Sequence, residues 1–62
     1  KPGSHAGGYA VDISVSHGKA LRVVESAIKN GIERIGVNQK GEGRFVHVDC
    51  DPSRLTPAMW SY

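Results

Sequence analysis

A single cysteine, Cys50, in a chain of 62 residues excludes an internal disulfide, the staple on which domains of this size most often depend. Chains below roughly 70–80 residues rarely bury enough apolar area to be stable unaided. A bound metal, a partner chain or a further segment of a longer protein is left to hold this one together. Hydrophobic residues make up 39% of the chain and aromatics 6%, so the expected core is thin and consists mainly of Val, Ile and Leu. The chain opens at Lys1-Pro2-Gly3 without an initiating methionine, and the expectation is one domain over residues 1–62, the carboxyl-terminal part of a larger protein whose upstream portion is a partner in folding.

Eight Lys and Arg stand against six Asp and Glu, a net charge of +2, and the basic residues are dispersed along the chain. That pattern does not predict a nucleic-acid partner. No run approaches the 18 or more consecutive apolar residues of a membrane span, and no basic segment precedes a signal-type apolar run. Neither a span nor a leader is expected within these residues.

Residues 2–8, rich in Gly and containing His5, read as a loop. From Ala10 the pattern alternates strictly: Val11, Ile13 and Val15 fall on one face, and Ala10, Asp12 and Ser14 on the other. This is the period-two signature of a half-buried strand. A helix follows, with Ser16 as its N-cap, an apolar stripe of Ala20, Leu21, Val24, Ala27 and Ile28, and Gly31 as its stop. Arg34–Val37 reads as a short strand, Asn38–Gly43 as a hairpin loop and Arg44–Cys50 as a second patterned strand. In that strand Val46, Val48 and Cys50 share one face, and Phe45, His47 and Asp49 the other. Residues 51–57 read as irregular, and Met59–Tyr62 as an apolar cluster packing over a sheet edge or over a site. The predicted class is α+β: a small, mostly antiparallel sheet with one covering helix.

Packing both apolar strand faces under that helix collects Asp12, His47 and Asp49 on the opposite face. His5 enters seven positions before Asp12, and a chain turning through Gly7 and Gly8 can bring it to the same ion. Two histidines and a carboxylate suit tetrahedral zinc with a fourth position open. The same residues in a small domain equally serve as solvated or capping groups, and spacing alone leaves both readings standing.

The run His5-Ala6-Gly7-Gly8-Tyr9-Ala10-Val11-Asp12-Ile13 fits the pattern H-x-x-G-x-A-x-D-I, and Phe45-Val46-His47-Val48-Asp49 fits F-V-H-V-D. Together and in this order they resemble the zinc D-alanyl-D-alanine carboxypeptidases and the related phage and bacterial peptidoglycan endopeptidases, relatives of the hedgehog amino-terminal fold. The resemblance implies that His5, Asp12 and His47 are zinc ligands. It also implies that Gly8 and Ala10 let the ligand-bearing loop lie close to the sheet. The implied activity is hydrolysis, through zinc-bound water, of D-amino-acid-containing peptide bonds in peptidoglycan stem peptides or cross-links. The chain is then the carboxyl-terminal catalytic part of a metallopeptidase domain, with a periplasmic, extracellular or phage-associated setting.

Three departures from the family pattern stand out. Gly3 occupies the place of a serine, with Ser4 beside it; Arg44 occupies the place of an acidic residue three positions before the last histidine; and the upstream portion carrying the substrate-carboxylate arginine is not in this chain. The candidate bases are Asp49, which shares a strand face with His47, and Glu42 in the hairpin loop. Asp49 is the favoured catalytic residue, with orientation of a ligand as its competing role. His17 reads as a capping-region or surface histidine, Cys50 as a small buried hydrophobe, Trp60 and Tyr62 as edge-packing aromatics or a substrate wall, and Tyr9 as a packing residue. The alternative function is a catalytically inactive, zinc-stabilised module of the same fold that binds cell wall or protein; a metal-free structural domain leaves the paired motifs without a reason.

Overall fold

The computed structural model describes residues 10–62. Strand β1 (Ala10–Ser14) leads through Val15 and Ser16 into helix α1 (His17–Lys29), and strands β2 (Arg34–Asn38), β3 (Phe45–Asp49) and β4 (Ala58–Ser61) follow. β3 lies between β1 and β2 and runs antiparallel to both, while β4 joins the other side of β2 in parallel. The result is a small α+β unit with one helix and a four-stranded mixed sheet in the order β1-β3-β2-β4. Among the described residues no helix is long and apolar enough to cross a membrane.

The alternation of the strands decides what each face carries. Ile35, Val46 and Val48 are buried against Ala20 and Ala27 of α1, with Ile13, Val15, Val23, Val24, Ile32 and Val37 packed around them. Val46, in the strand paired on both sides, has no exposed surface. The helix starts at Ser16 as expected, although the Ser16 hydroxyl makes no capping hydrogen bond. It stops at Gly31, whose φ of +82° allows the Gly31 N–H to reach the Ile28 carbonyl and the Ile32 N–H the Ala27 carbonyl at 2.9 Å, a Schellman closure.

Three expectations are corrected. Leu21 and Ile28 are 62% and 60% exposed rather than buried, because α1 meets the sheet through the small residues Ala20 and Ala27, and these neighbours in the stripe are turned to the flank. Cys50 is exposed rather than packed with Val46 and Val48, because β3 ends at Asp49 and the chain leaves the sheet there. The Met59–Tyr62 cluster does more than lie over an edge: residues 58–61 form an edge strand themselves, with Trp60 opposite Gly36.

Candidate metal centre

Two cross-strand registers, both referred to β3, assemble the polar face of the sheet. Asp12 of β1 pairs with His47, and Arg34 of β2 pairs with Asp49. Directly paired residues project to the same side, so the alternation predicted for Asp12, His47 and Asp49 places all three where expected, on the face away from α1. His47 Nδ1 is 2.8 Å from Asp12 Oδ1, and His47 Nε2 is 2.8 Å from Asp49 Oδ2. The other Asp49 oxygen, Oδ1, accepts from Arg34 Nε at 2.7 Å and from the Asp51 N–H at 3.3 Å.

The two carboxylates differ sharply in setting. The Asp12 side chain is 62% exposed and that of Asp49 only 7%, so solvent reaches the imidazole from the Asp12 side. Carboxylate oxygens only accept hydrogen bonds, and without a metal the ring satisfies both of its neighbours as the doubly protonated cation. Burial works against that charge, but the hydrogen bonds to Asp49 and Asp12 outweigh it and raise the His47 pKa above its ordinary value. For Asp49 burial likewise favours the neutral acid, and the bonds from His47, the Asp51 N–H and Arg34 outweigh it and hold the carboxyl below the usual carboxylate range.

Asp12 and His47 are the two expected zinc ligands that lie among the described residues, in contact through Oδ1 and Nδ1. Donors at about 2.0–2.1 Å around a tetrahedral ion are about 3.3 Å apart, so Oδ1 would have to leave its 2.8 Å contact with Nδ1 and swing aside for an ion to take that place. His47 would then keep its Nε2–H on Asp49, the carboxylate–histidine–metal arrangement by which ligand histidines are oriented. The third expected ligand, His5, lies outside the described residues, as do Gly3, Ser4, Gly8 and Tyr9. Among the described residues no group of three or more His, Cys, Asp and Glu side chains is placed to hold an ion, since Asp49 sits on the far nitrogen of the ring.

This geometry favours the orienting role for Asp49 over the base role expected of it. Both of its oxygens are engaged, and it meets the ring on the side opposite Asp12. Glu42 is exposed in the connection between β2 and β3. Arg44 is turned elsewhere: its Nε donates to the Gly41 carbonyl at 2.9 Å and its Nη1 lies 3.4 Å from His17 Nε2. His17 is exposed at the helix start, in keeping with its reading as a surface histidine.

Two participants, Arg34 and Gly36, carry no motif in the sequence. Arg34 is buried, its guanidinium stacked 4.9 Å from the centre of the Trp60 ring and bonded through Nη1 to the Leu55 carbonyl. Gly36 is the floor on which the indole lies, for a Cβ there would fall 2.4 Å from Trp60 Nε1. Trp60 thereby flanks His47, ring centres 5.6 Å apart, and Tyr62 packs on Phe45 at 5.0 Å. The signal was present in β2 itself, where alternation puts Arg34 and Gly36 on the polar face and a mid-strand glycine marks a close approach.

No match to the chain was found among protein-family models, curated proteins or solved structures.

Proposed function

We propose that the chain is the carboxyl-terminal part of a zinc metallopeptidase of the D-alanyl-D-alanine carboxypeptidase or peptidoglycan endopeptidase type, in a hedgehog-like fold. Its substrates on this reading are the D-amino-acid-containing peptide bonds of peptidoglycan stem peptides or cross-links. The observation that carries the reading is the Asp12–His47 pair. A carboxylate and an imidazole nitrogen stand 2.8 Å apart on the open face of the sheet, the imidazole held from behind by a buried carboxylate.

Asp12 and His47, joined by His5, would hold the ion. Zinc in such a site lowers the pKa of a coordinated water and polarises the carbonyl to be attacked. The protein's own part is to fix the donors. Asp49 accepts a hydrogen bond from His47 Nε2–H and so would leave Nδ1 as the ligating nitrogen, and the β1–β3 register holds the Asp12 carboxylate at that nitrogen. Trp60 closes one flank of the imidazole, while the exposed side of Asp12 leaves the approach open for a peptide.

Elemental analysis of the chain and of Asp12→Ala after dialysis against metal-free buffer, with release of peptides from purified peptidoglycan as the activity readout, tests this. About one zinc per chain, lost in the variant, together with peptide release supports the peptidase. Zinc without hydrolysis overturns the enzymatic reading in favour of the binding module. No zinc in a folded chain overturns the metal centre.

A further inference from the structure

We propose that Arg34 is a positioning residue for this centre, acting through Asp49 on His47. What His47 does is taken from the zinc reading above; how it is held is independent of that reading.

Arg34 is 8% exposed in a unit whose buried apolar core consists of Ala20, Ala27, Ile35, Val46 and Val48. Desolvating a guanidinium and its carboxylate partner is expensive, and a well-packed apolar pair of similar volume would often stabilise a fold as well or better. Core packing therefore does not account for the pair. The three groups that surround the guanidinium come from three separate stretches: Asp49 from β3, the Leu55 carbonyl from the segment before β4, and the Trp60 indole from β4. The planar fork of arginine can serve the first two at once while its face stacks on the third, which a lysine ammonium cannot do.

What this achieves is read along one chain of contacts. Arg34 Nε binds Asp49 Oδ1; Asp49 Oδ2 meets His47 Nε2; His47 Nδ1 meets Asp12 Oδ1. The path enters β3 from β2 at one register pair, moves two residues along it and leaves onto β1 at another. With Oδ1 pinned by the guanidinium, Asp49 can turn only Oδ2 to the imidazole. The ring is thus set with Nε2–H inward and Nδ1 toward Asp12 and the open face.

The test is a double-mutant cycle on the full chain, with zinc affinity measured by competition against a chelator for the parent, Arg34→Met, Asp49→Asn and the pair together. Each single variant should weaken zinc binding about 10- to 100-fold, the range for partners that orient ligand histidines. The pair should bind within about threefold of Asp49→Asn, because a residue acting through Asp49 has nothing left to act on. Losses that multiply, or parent-like affinity in folded Arg34→Met, overturn the proposal.

A second readout does not require metal. In the metal-free parent the His47 Nε2 proton should give a slowly exchanging imidazole resonance by NMR, absent in Arg34→Met. A parent that shows this proton, loses it in the variant and binds no zinc retains the positioning role and sinks the metal reading; a proton that persists in the folded variant sinks the positioning role. If Arg34→Met does not fold, Arg34→Lys keeps the charge without the fork. Parent-like proton protection and affinity in that variant count against the proposal, and loss of both supports it.

Discussion

Substituting Gly36 by Ala is a one-carbon perturbation whose cost follows from the contact it creates. The added Cβ would lie 2.4, 2.5 and 2.9 Å from Nε1, Cε2 and Cζ2 of Trp60, where ordinary contact begins at 3.4 Å. The indole must retreat by about 1 Å, and as a rigid plane wedged between Gly36 and Arg34 it cannot do so by a change of its far end alone. Overpacking of this kind costs about 1–3 kcal/mol, and a loosened cation–π contact with Arg34 about 0.5–2 kcal/mol more. A total near 2–4 kcal/mol is expected. Stabilities of about 0.05–0.15 kcal/mol per residue make that a large share of what so short a chain possesses. Urea unfolding followed by the fluorescence of Trp60, the single tryptophan, measures the loss and reports the displaced indole directly. In a Trp60→Ala background, followed by circular dichroism, the same Gly36→Ala change should cost nothing, or add up to about 1 kcal/mol by removing a glycine from a strand. A Gly36→Ala chain within 0.5 kcal/mol of the parent, with unchanged tryptophan emission, would refute the reasoning.

Further outcomes follow from the titrating pair and from the helix start. In chelator, the raised His47 pKa contributes stability that is full below the ordinary value of 6.5 and is lost as pH rises through the folded value. The depressed Asp49 pKa contributes stability present above 3.8 and lost as pH falls through its folded value. Urea midpoints of the metal-free chain should therefore fall between pH 6 and pH 8, whereas zinc, which must displace a proton from His47, should stabilise more as pH rises; midpoints that rise over this interval in chelator would contradict the assignment. His17 carries a φ of +56°, a conformation costing an L-residue about 1–2 kcal/mol. His17→Gly should accordingly be more stable than His17→Ala by about 1 kcal/mol, the reverse of the usual helix order, as judged by thermal unfolding.

Much of the site was legible because β1 and β3 alternate cleanly. Period two fixes the side on which Asp12, His47 and Asp49 emerge once either apolar face is assigned to the core. The same logic placed α1 over that core but misjudged its width: Ala20 and Ala27 are so small that they form the contact itself, and Leu21 and Ile28 remain outside it. β4 was not recognised as a strand because Ala-Met-Trp-Ser has no β-branched residue and no clean alternation, and its pairing joins segments separated by the whole of β3. Arg34 escaped notice for a related reason. Its charge looks like a solvated strand end until the register places it opposite Asp49, and no local pattern reports which strand a residue will face. The direction in which a carboxylate lends its oxygens is likewise invisible in spacing, so the sequence offered both a base and an orienting role for Asp49 without a means to choose between them.

The doubly flanked position of β3 gives the centre one more property. Asp12 meets His47 and Arg34 meets Asp49 only when β1 and β2 are both in step with the same central strand. A slip of one residue in either ladder would turn the incoming side chain to the opposite face and bring a neighbour in its place: Val11 or Ile13 for Asp12, and Glu33 or Ile35 for Arg34. On the proposed function, ion capture would then be a checksum on assembly: a chain threaded out of step could still cluster its valines and isoleucines, but it could not present Asp12, His47, Asp49 and Arg34 together, and an ion held there would select the correctly threaded molecules from the rest.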